Sequence, residues 1–327
     1  MKMKKLLYYE ILNFQPENLV LLEENFDSHI LPNPDYDTPE ILREIEVVFA
    51  PLGYYCGKEK IEFMPSLKVI ASNTTGTPHI DEEYAEKRGI KVISLKGETE
   101  FLSSITPTAE HTWGLMLSLI RNVFPSFKSV CDGKWSRWPF GAPKMLSRMS
   151  LGIIGLGRIG KMVAEYGRAF RMDVRFYDPY VYIPHISGIV KIDKLDELVA
   201  LSDIVTLHVP LNKETEGMIN EDIFPKFKQG SYLINTSRGG IIHTSALIKS
   251  LETGKLAGAA LDVLDDEFER GFENSVKEHP LIVYACRHSN LLITPHIGGS
   301  TIDAWRLTQE FTIKSILKYL KNNQGDK

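Results

Sequence analysis

Short apolar runs rich in Val, Ile and Leu recur along the chain, separated by stretches whose apolar positions repeat at helical spacing. The runs at 5–9, 47–50, 67–72 and 91–95 predict one set of strands. Those at 150–155, 174–177, 203–209, 231–235, 257–263 and 290–294 predict a second. Residues 158–170, 194–201 and 244–253 predict amphipathic helices between them. Strands that alternate with helices predict parallel sheets covered by helices on both faces. Two segments break this rhythm. Residues 107–122, PTAEHTWGLMLSLIRN, are apolar on most sides, the pattern of a helix wedged between two layers. Residues 121–149, which hold Pro125, Trp135, Trp138, Pro139 and Pro143, predict an irregular connector. Residues 300–322 predict a long helix capped by Ser300 with Asp303.

Composition narrows the classes. A chain of 327 residues has room for two domains, and 43% hydrophobic with 24% charged residues is a globular make-up. The 38 Lys and Arg against 42 Asp and Glu leave a net charge of −4, without the basic excess of a nucleic-acid binder. Cys56, Cys131 and Cys286 form no CxxC pair, so neither a disulfide framework nor a zinc site is expected, and a reducing cytoplasm fits. The first apolar run is broken by Glu10 and Asn13, a poor match to a signal peptide. No run approaches the roughly 18 apolar residues of a membrane span.

The sharpest local signal is Gly155-Leu-Gly157-Arg158-Ile159-Gly160, which follows an apolar run and opens a helical pattern. Gly155 makes the tight turn, Gly157 lets backbone approach a pyrophosphate, and Gly160 lets helix and strand pack closely. The helix N-terminus then offers free N–H groups to the phosphates. Asp178 ends the next apolar run, 18 residues past Gly160. A carboxylate there accepts from ribose hydroxyls and repels a 2′-phosphate, which favours NAD over NADP.

Three further strand ends carry chemistry: Asn235-Thr236-Ser237-Arg238-Gly239, Asp262 to Glu267, and Thr294-Pro295-His296-Ile297-Gly298. Ligands of open parallel sheets bind beyond the carboxyl ends of the strands. A guanidinium there can fork onto a carboxylate. An imidazole can exchange a proton near neutral pH, and a carboxylate can orient it. Which acid of Asp265-Asp266-Glu267 faces the histidine is not readable from periodicity. His208 and His243 read as structural or cofactor-adjacent, and His111 as a satisfied core or interface histidine.

With these motifs in this order, the sequence resembles the D-isomer-specific 2-hydroxyacid dehydrogenase family, which includes 3-phosphoglycerate dehydrogenase. The resemblance covers about two thirds of the chain, from Leu67-Lys-Val-Ile and Arg88-Gly-Ile-Lys-Val through Thr108-Ala-Glu, the glycine loop and Leu207-His-Val-Pro-Leu211 to His296-Ile-Gly-Gly-Ser-Thr301. It implies an α/β fold in which a Rossmann-type NAD domain, residues 106–295, is inserted into a smaller flavodoxin-like substrate domain, residues 1–105 and 296–327. It implies that Arg238 binds the substrate's carboxylate and carbonyl oxygen, that His296 is the acid/base, and that Glu267, five residues past Asp262, pairs with it. Arg158 and Ile159 would pack on the pyrophosphate and Asp178 hold the ribose. Thr108, His208, Val209, Pro210, Thr236, Asp262, His296 and Gly298 would line the cofactor. Thr75 and Gly76 would hold substrate, and helix 107–122 would build a homodimer.

Three departures from the family pattern stand out. Glu267 and His296 are 29 residues apart, with the excess in the charged segment 268–278, expected as a lid or surface loop. The substrate loop reads Asn73-Thr-Thr-Gly76-Thr-Pro78-His79-Ile-Asp81, where Pro78 removes one N–H donor. Pro51-Leu-Gly-Tyr-Tyr55 stands where phosphoglycerate enzymes carry an arginine- or serine-bearing loop, which argues against phosphoglycerate. The expected activity is NAD-dependent interconversion of a small D-2-hydroxy acid and its 2-oxo acid. Formate or phosphite oxidation is the alternative enzyme reading, and Glu267 argues against formate. An NAD-sensing regulatory protein of the corepressor type is the alternative outside enzymes.

Overall fold

The computed structural model describes residues 3–182, 186–269 and 271–323, and the chain divides into two compact units. One comprises Met1–Ile105, Phe268–Arg270 and Ser300–Lys327; the other comprises Thr106–Glu267 and Gly271–Gly299. In chain order the second unit is an insertion in the first. It runs past Pro295 to Gly299, because the carboxylate of Asp262 accepts from the N–H groups of Ile297 and Gly298.

In the first unit, β1 (Lys4–Tyr9), β2 (Phe26–Leu31), β3 (Val47–Phe49), β4 (Val69–Ala71) and β5 (Lys91–Ile93) form a parallel sheet in the order β2-β1-β3-β4-β5. Successive side chains of a strand face opposite ways. Leu7 and Tyr9 therefore pack with Val48, Ile70 and Ile61, whereas Leu6 and Tyr8 pack with Val47, Phe49 and Ile313. Both faces are covered, which is why these strands read as unbroken apolar runs. The apolar pattern misses β2. It is an edge strand, FDSHIL, with Asp27 and Ile30 exposed, and it pairs only with β1.

The helix Ile302–Asn322 starts at Thr301, not at the expected Ser300: Thr301 has the extended backbone of an N-cap, and its hydroxyl accepts from Ala304 N at 3.2 Å. Midway along it, Gln309 is fully buried yet fully satisfied. Its Oε1 accepts from Gln15 N at 2.9 Å and Asn18 Nδ2 at 3.1 Å; its Nε2 donates to Leu12 O and Asn13 O, both at 3.2 Å. All four hydrogen-bonding positions of the amide are used, and they bind the last helix to the chain that follows β1.

The second unit holds β6 (Ser150–Ile154), β7 (Asp173–Tyr177), β8 (Val190–Lys191), β9 (Ile204–Leu207), β10 (Ser231–Asn235), β11 (Leu256–Leu261) and β12 (Leu291–Ile293). They pair in parallel in the order β12-β11-β10-β9-β6-β7-β8. The order reverses between β6 and β9, which opens a crevice at their carboxyl ends. The helix Pro107–Ile120 packs Ala109, Trp113, Met116 and Ile120 into the core beside β6, as its all-round apolarity predicts. The expected irregular connector contains a helix, Val123–Cys131, whose exposed side chains include Val123, Phe124, Phe127 and Val130. Pro125 is no obstacle there, because a proline in the first turn lacks only an N–H that is unpaired anyway. The charged segment 268–278 carries a short helix, Phe272–Ser275, and its Arg270 lies outside the described residues. Among the described residues, no helix is long and apolar enough to cross a membrane.

Replacing Gln309 by Leu takes the partner from Gln15 N, from one Asn18 Nδ2 proton and from Leu12 O, while Asn13 O keeps Gln15 Nε2 at 3.1 Å. A loss of about 2–4 kcal/mol in urea denaturation is expected, since each unsatisfied buried group costs about 1–3 kcal/mol. An unchanged midpoint would show that the amide network contributes nothing.

Candidate active site

Gly155 follows β6 with φ +89°, and a Cβ there would lie 2.6 Å from His208 O. A Cβ on Gly160 would lie 2.1 Å from Gly155 O, so only glycine lets the helix Arg158–Ala169 start this close to the turn. Gly157 differs: nothing lies within 4 Å of its Cβ position. The middle glycine is not demanded by packing. It leaves open space before the first N–H groups of a twelve-residue helix, where a pyrophosphate fits. Asp178, at the end of β7, is fastened to this loop. Its Oδ2 accepts from Leu156 N and its Oδ1 from Tyr180 N, each at 2.8 Å. Each oxygen keeps a lone pair for a ribose hydroxyl. The residues present fit a dinucleotide.

Several expected lining residues are committed to protein partners. The Thr112 hydroxyl donates to Thr108 O at 2.7 Å, and its oxygen lies 2.7 Å from Thr236 Oγ1. A hydroxyl has one proton, so Thr236 must donate to Thr112 and can only accept from a ligand. His208 Nε2 lies 2.9 Å from Thr206 Oγ1, and burial lowers the imidazole to about 3, so it is neutral at physiological pH. Val209 stands against the glycine turn, its Cγ1 2.7 Å from the Gly155 Cβ position, and Pro210 is exposed. Arg158 and Ile159 are half-buried at the helix start.

At the end of β10 the buried Asn235 organises the next turn: its Oδ1 accepts from Ser237 N at 3.0 Å and its Nδ2 donates to Arg238 O at 2.9 Å. A Cβ on Gly239 would lie 1.9 Å from the Leu264 carbonyl carbon, so the turn lies directly against the segment before the acidic run. Burial lowers the basicity of Arg238, and the nearby Glu267 raises it. A guanidinium stays protonated through such shifts.

Of the three acids, Glu267 is the one beside the histidine. His296 Nδ1 lies 2.9 Å from Glu267 Oε1. Asp265 is engaged elsewhere, with His279 Nε2 at 2.8 Å and the Thr244 hydroxyl at 3.1 Å. His296 has φ +51°, a left-handed backbone uncommon for a residue with a Cβ. Asp262 holds it there. His296 N donates to Asp262 O at 2.8 Å; Ile297 N donates to Oδ1 at 3.0 Å and Gly298 N to Oδ2 at 2.7 Å. The buried Asp262 thus spends its carboxylate on shaping the turn of His296.

His111 completes that cluster. The Thr294 hydroxyl donates to Asp262 Oδ1 at 2.6 Å, so His111 Nε2, 2.9 Å from Thr294 Oγ1 and 3.2 Å from Asp262 Oδ1, must carry a proton and donate. His111 is the satisfied histidine that the sequence predicts, but its partners, Thr294 and Asp262, are not readable there. The available signal was helical spacing, since His111 is three residues past Thr108 and shares its face.

Thr75 and Gly76 belong to the first unit. Thr75 is exposed, and among the described residues no protein group accepts from the N–H groups of Thr75, Gly76 or Thr77. His243 Nδ1 lies 2.8 Å from Glu221 Oε2 at the surface.

A family model described as the NAD binding domain of D-isomer specific 2-hydroxyacid dehydrogenases matches residues 113–298. A glyoxylate reductase of Thermofilum pendens is 34% identical over 93% of this chain and 88% of its own length. A D-3-phosphoglycerate dehydrogenase of Bacillus subtilis is 36% identical over 79% of this chain but 46% of its own. The chain spans about half the length of the phosphoglycerate dehydrogenases it matches. A D-lactate dehydrogenase structure from Aquifex aeolicus, complexed with NAD and lactic acid, is 32% identical with a TM-score of 0.81, covering 97% of this chain and 96% of that one.

Gly157→Ala should leave the melting temperature unchanged and weaken NADH at least about tenfold in a fluorescence titration, because its methyl enters only the phosphate space. Gly160→Ala should lower the melting temperature. The reverse pattern would mean that Gly157 serves packing. His208 carries a pH signature. Its pKa falls from 6.5 unfolded to about 3 folded, so its contribution is whole above pH 6.5 and drains as pH falls towards 3. Between pH 7 and pH 5 wild type should lose up to about 2 kcal/mol from this group. His208→Gln should show a flatter profile in denaturant titrations at the two pH values.

Proposed function

The chain belongs to the D-isomer-specific 2-hydroxyacid dehydrogenase family, and from that premise we propose that it interconverts a small D-2-hydroxy acid and its 2-oxo acid with NAD. The observation that carries this reading is His296 Nδ1 held 2.9 Å from Glu267 Oε1 in the unit that also presents Arg238. Bound NAD supplies the acceptor or donor of the hydride.

Glu267 accepts from Nδ1–H, which leaves Nε2 as the exchanging atom. In reduction, protonated His296 gives its Nε2 proton to the carbonyl oxygen as that oxygen gains charge; in oxidation, neutral His296 takes the hydroxyl proton. Arg238 forks onto the substrate's carboxylate and carbonyl oxygen and so orients the carbon for hydride transfer. In the first unit, the N–H groups of Thr75 and Gly76 are of the kind that holds a substrate carboxylate. Asp178 accepts from the ribose hydroxyls and disfavours a 2′-phosphate. Thr108, His208, Val209, Pro210 and Thr236 line the nicotinamide side, while Asp262 and Gly298 fix the turn of His296.

Small unphosphorylated 2-oxo acids, such as the glyoxylate of the Thermofilum relative's name, stand ahead of phosphoglycerate. Pro51-Leu-Gly-Tyr-Tyr55 carries no arginine to meet a phosphate. The cysteines are unpaired, which suits the reducing cytoplasm. A homodimer accounts for the apolar side chains that Val123, Phe124, Phe127 and Trp135 expose on and beyond the helix Val123–Cys131.

The test is NADH consumption against a panel of 2-oxo acids, with NADPH in parallel. NADH should be preferred, and Asp178→Ala should relax the preference. His296→Ala should lose about 10²–10⁴-fold in kcat while NADH binding survives. Arg238→Lys should raise KM and lower kcat together, because lysine cannot reproduce the fork. NADH binding without turnover of any 2-oxo acid would replace this reading with that of an NAD sensor.

A further inference from the structure

His79 lies in the loop after β4, 4% exposed, and its imidazole takes part in no step so far described. Its Nε2 lies 3.1 Å from Ala50 O and 3.2 Å from Ser72 Oγ. Ser72 Oγ lies 2.8 Å from Thr74 Oγ1, and the Thr74 hydroxyl donates to Gly76 O at 2.7 Å. Proton counting fixes every direction. Thr74 spends its one proton on the Gly76 carbonyl, so Ser72 donates to Thr74. Ser72 is then spent, and Ala50 O can only accept, so His79 Nε2 carries the proton and donates.

The consequence for the ring is costly. With the proton on Nε2, Nδ1 is a bare acceptor, and it is buried without a partner. Burial lowers the imidazole to about 4, so it stays neutral at working pH. An apolar side chain would remove the unmet Nδ1, though it would also take the Nε2 donor from Ala50 O. What it could not do is start the chain of bonds that ends on Gly76.

That end is where the loop meets ligand. In a trans peptide the C=O and the following N–H point opposite ways. Gly76 C=O is turned inward onto Thr74, so Thr77 N–H is turned away from the chain of bonds. It follows in the chain the N–H groups of Thr75 and Gly76, which also lack protein acceptors among the described residues.

We propose that His79 is a positioning residue which, through Ser72 and Thr74, sets the orientation of the Gly76–Thr77 peptide and so the affinity of the loop for the substrate carboxylate. The proposal rests on the reading of this loop as a carboxylate site. It involves no proton transfer: the imidazole remains neutral and acts only as a donor.

The informative variant is Thr74→Val, which cuts the last bond at a half-buried position and keeps the side-chain shape. Its KM for the 2-oxo acid should rise about tenfold, with kcat within about twofold and the KM for NADH and the melting temperature unchanged. His79→Leu should raise the same KM, His79→Gln should recover part of it through its amide donor, and the double variant His79→Leu/Thr74→Val should add nothing to the larger single effect. Unchanged KM in Thr74→Val, or additive effects in the double variant, would overturn the proposal while leaving the dehydrogenase reading intact. A crystal structure of Thr74→Val reads the relay without turnover. A rotated Gly76–Thr77 peptide is expected, and a retained one overturns the relay even if the wild type reduces no 2-oxo acid.

Discussion

A single carboxylate shapes the part of the second unit that presents His296 to Glu267. Asp262 is buried, where an uncompensated charge is not tolerated. Two backbone N–H groups, one hydroxyl and one imidazole N–H meet it. Those same donors fix the residues on either side of His296 and hold it at φ +51°, a conformation that persists only where its surroundings over-determine it. The direction of His296, and with it the approach of Glu267 to Nδ1, follows from that arrangement. Asp262, expected to line the cofactor, thus also holds the backbone of this turn.

The strands buried on both faces are legible in the sequence because each is a continuous apolar run. β2 is not, since an edge strand with Asp27 and Ile30 facing outward carries no such pattern. β8 is only two residues long, too short to leave a periodic trace. In the site, the glycines and Asp178 are legible because their spacing is local: strand, turn, helix, strand. The choice of Glu267 over Asp265 is not, because it depends on His279 claiming Asp265, a contact across 14 residues of irregular chain. His111 was hidden for a similar reason. Its partner lies across 151 residues of sequence, and a histidine on an apolar helix carries no local mark of what it faces.

Hydroxyl groups do quiet organising work in both units. Thr112 and Thr236 in one, Ser72 and Thr74 in the other, each donate one hydrogen bond in a fixed direction, in chains that end on a backbone carbonyl. Such chains settle which way a peptide or a ring points at the cost of a few small side chains. They also decide what a neighbour can offer: Thr236, its proton spent, is an acceptor only, which restricts the ligand atom that meets it to a donor.

The bonds of Gln309 have a consequence for synthesis. A nascent chain emerges from its N-terminus, so the strands β1 to β5 leave the ribosome first. One face of their sheet waits for Ile313, Ile316 and Leu320, and the chain after β1 waits for the amide of Gln309. The inserted unit, Thr106–Glu267 with Gly271–Gly299, is complete before those residues are translated. The sheet of the first unit is therefore the last to close, and until then it exposes an apolar face to chaperones and to aggregation.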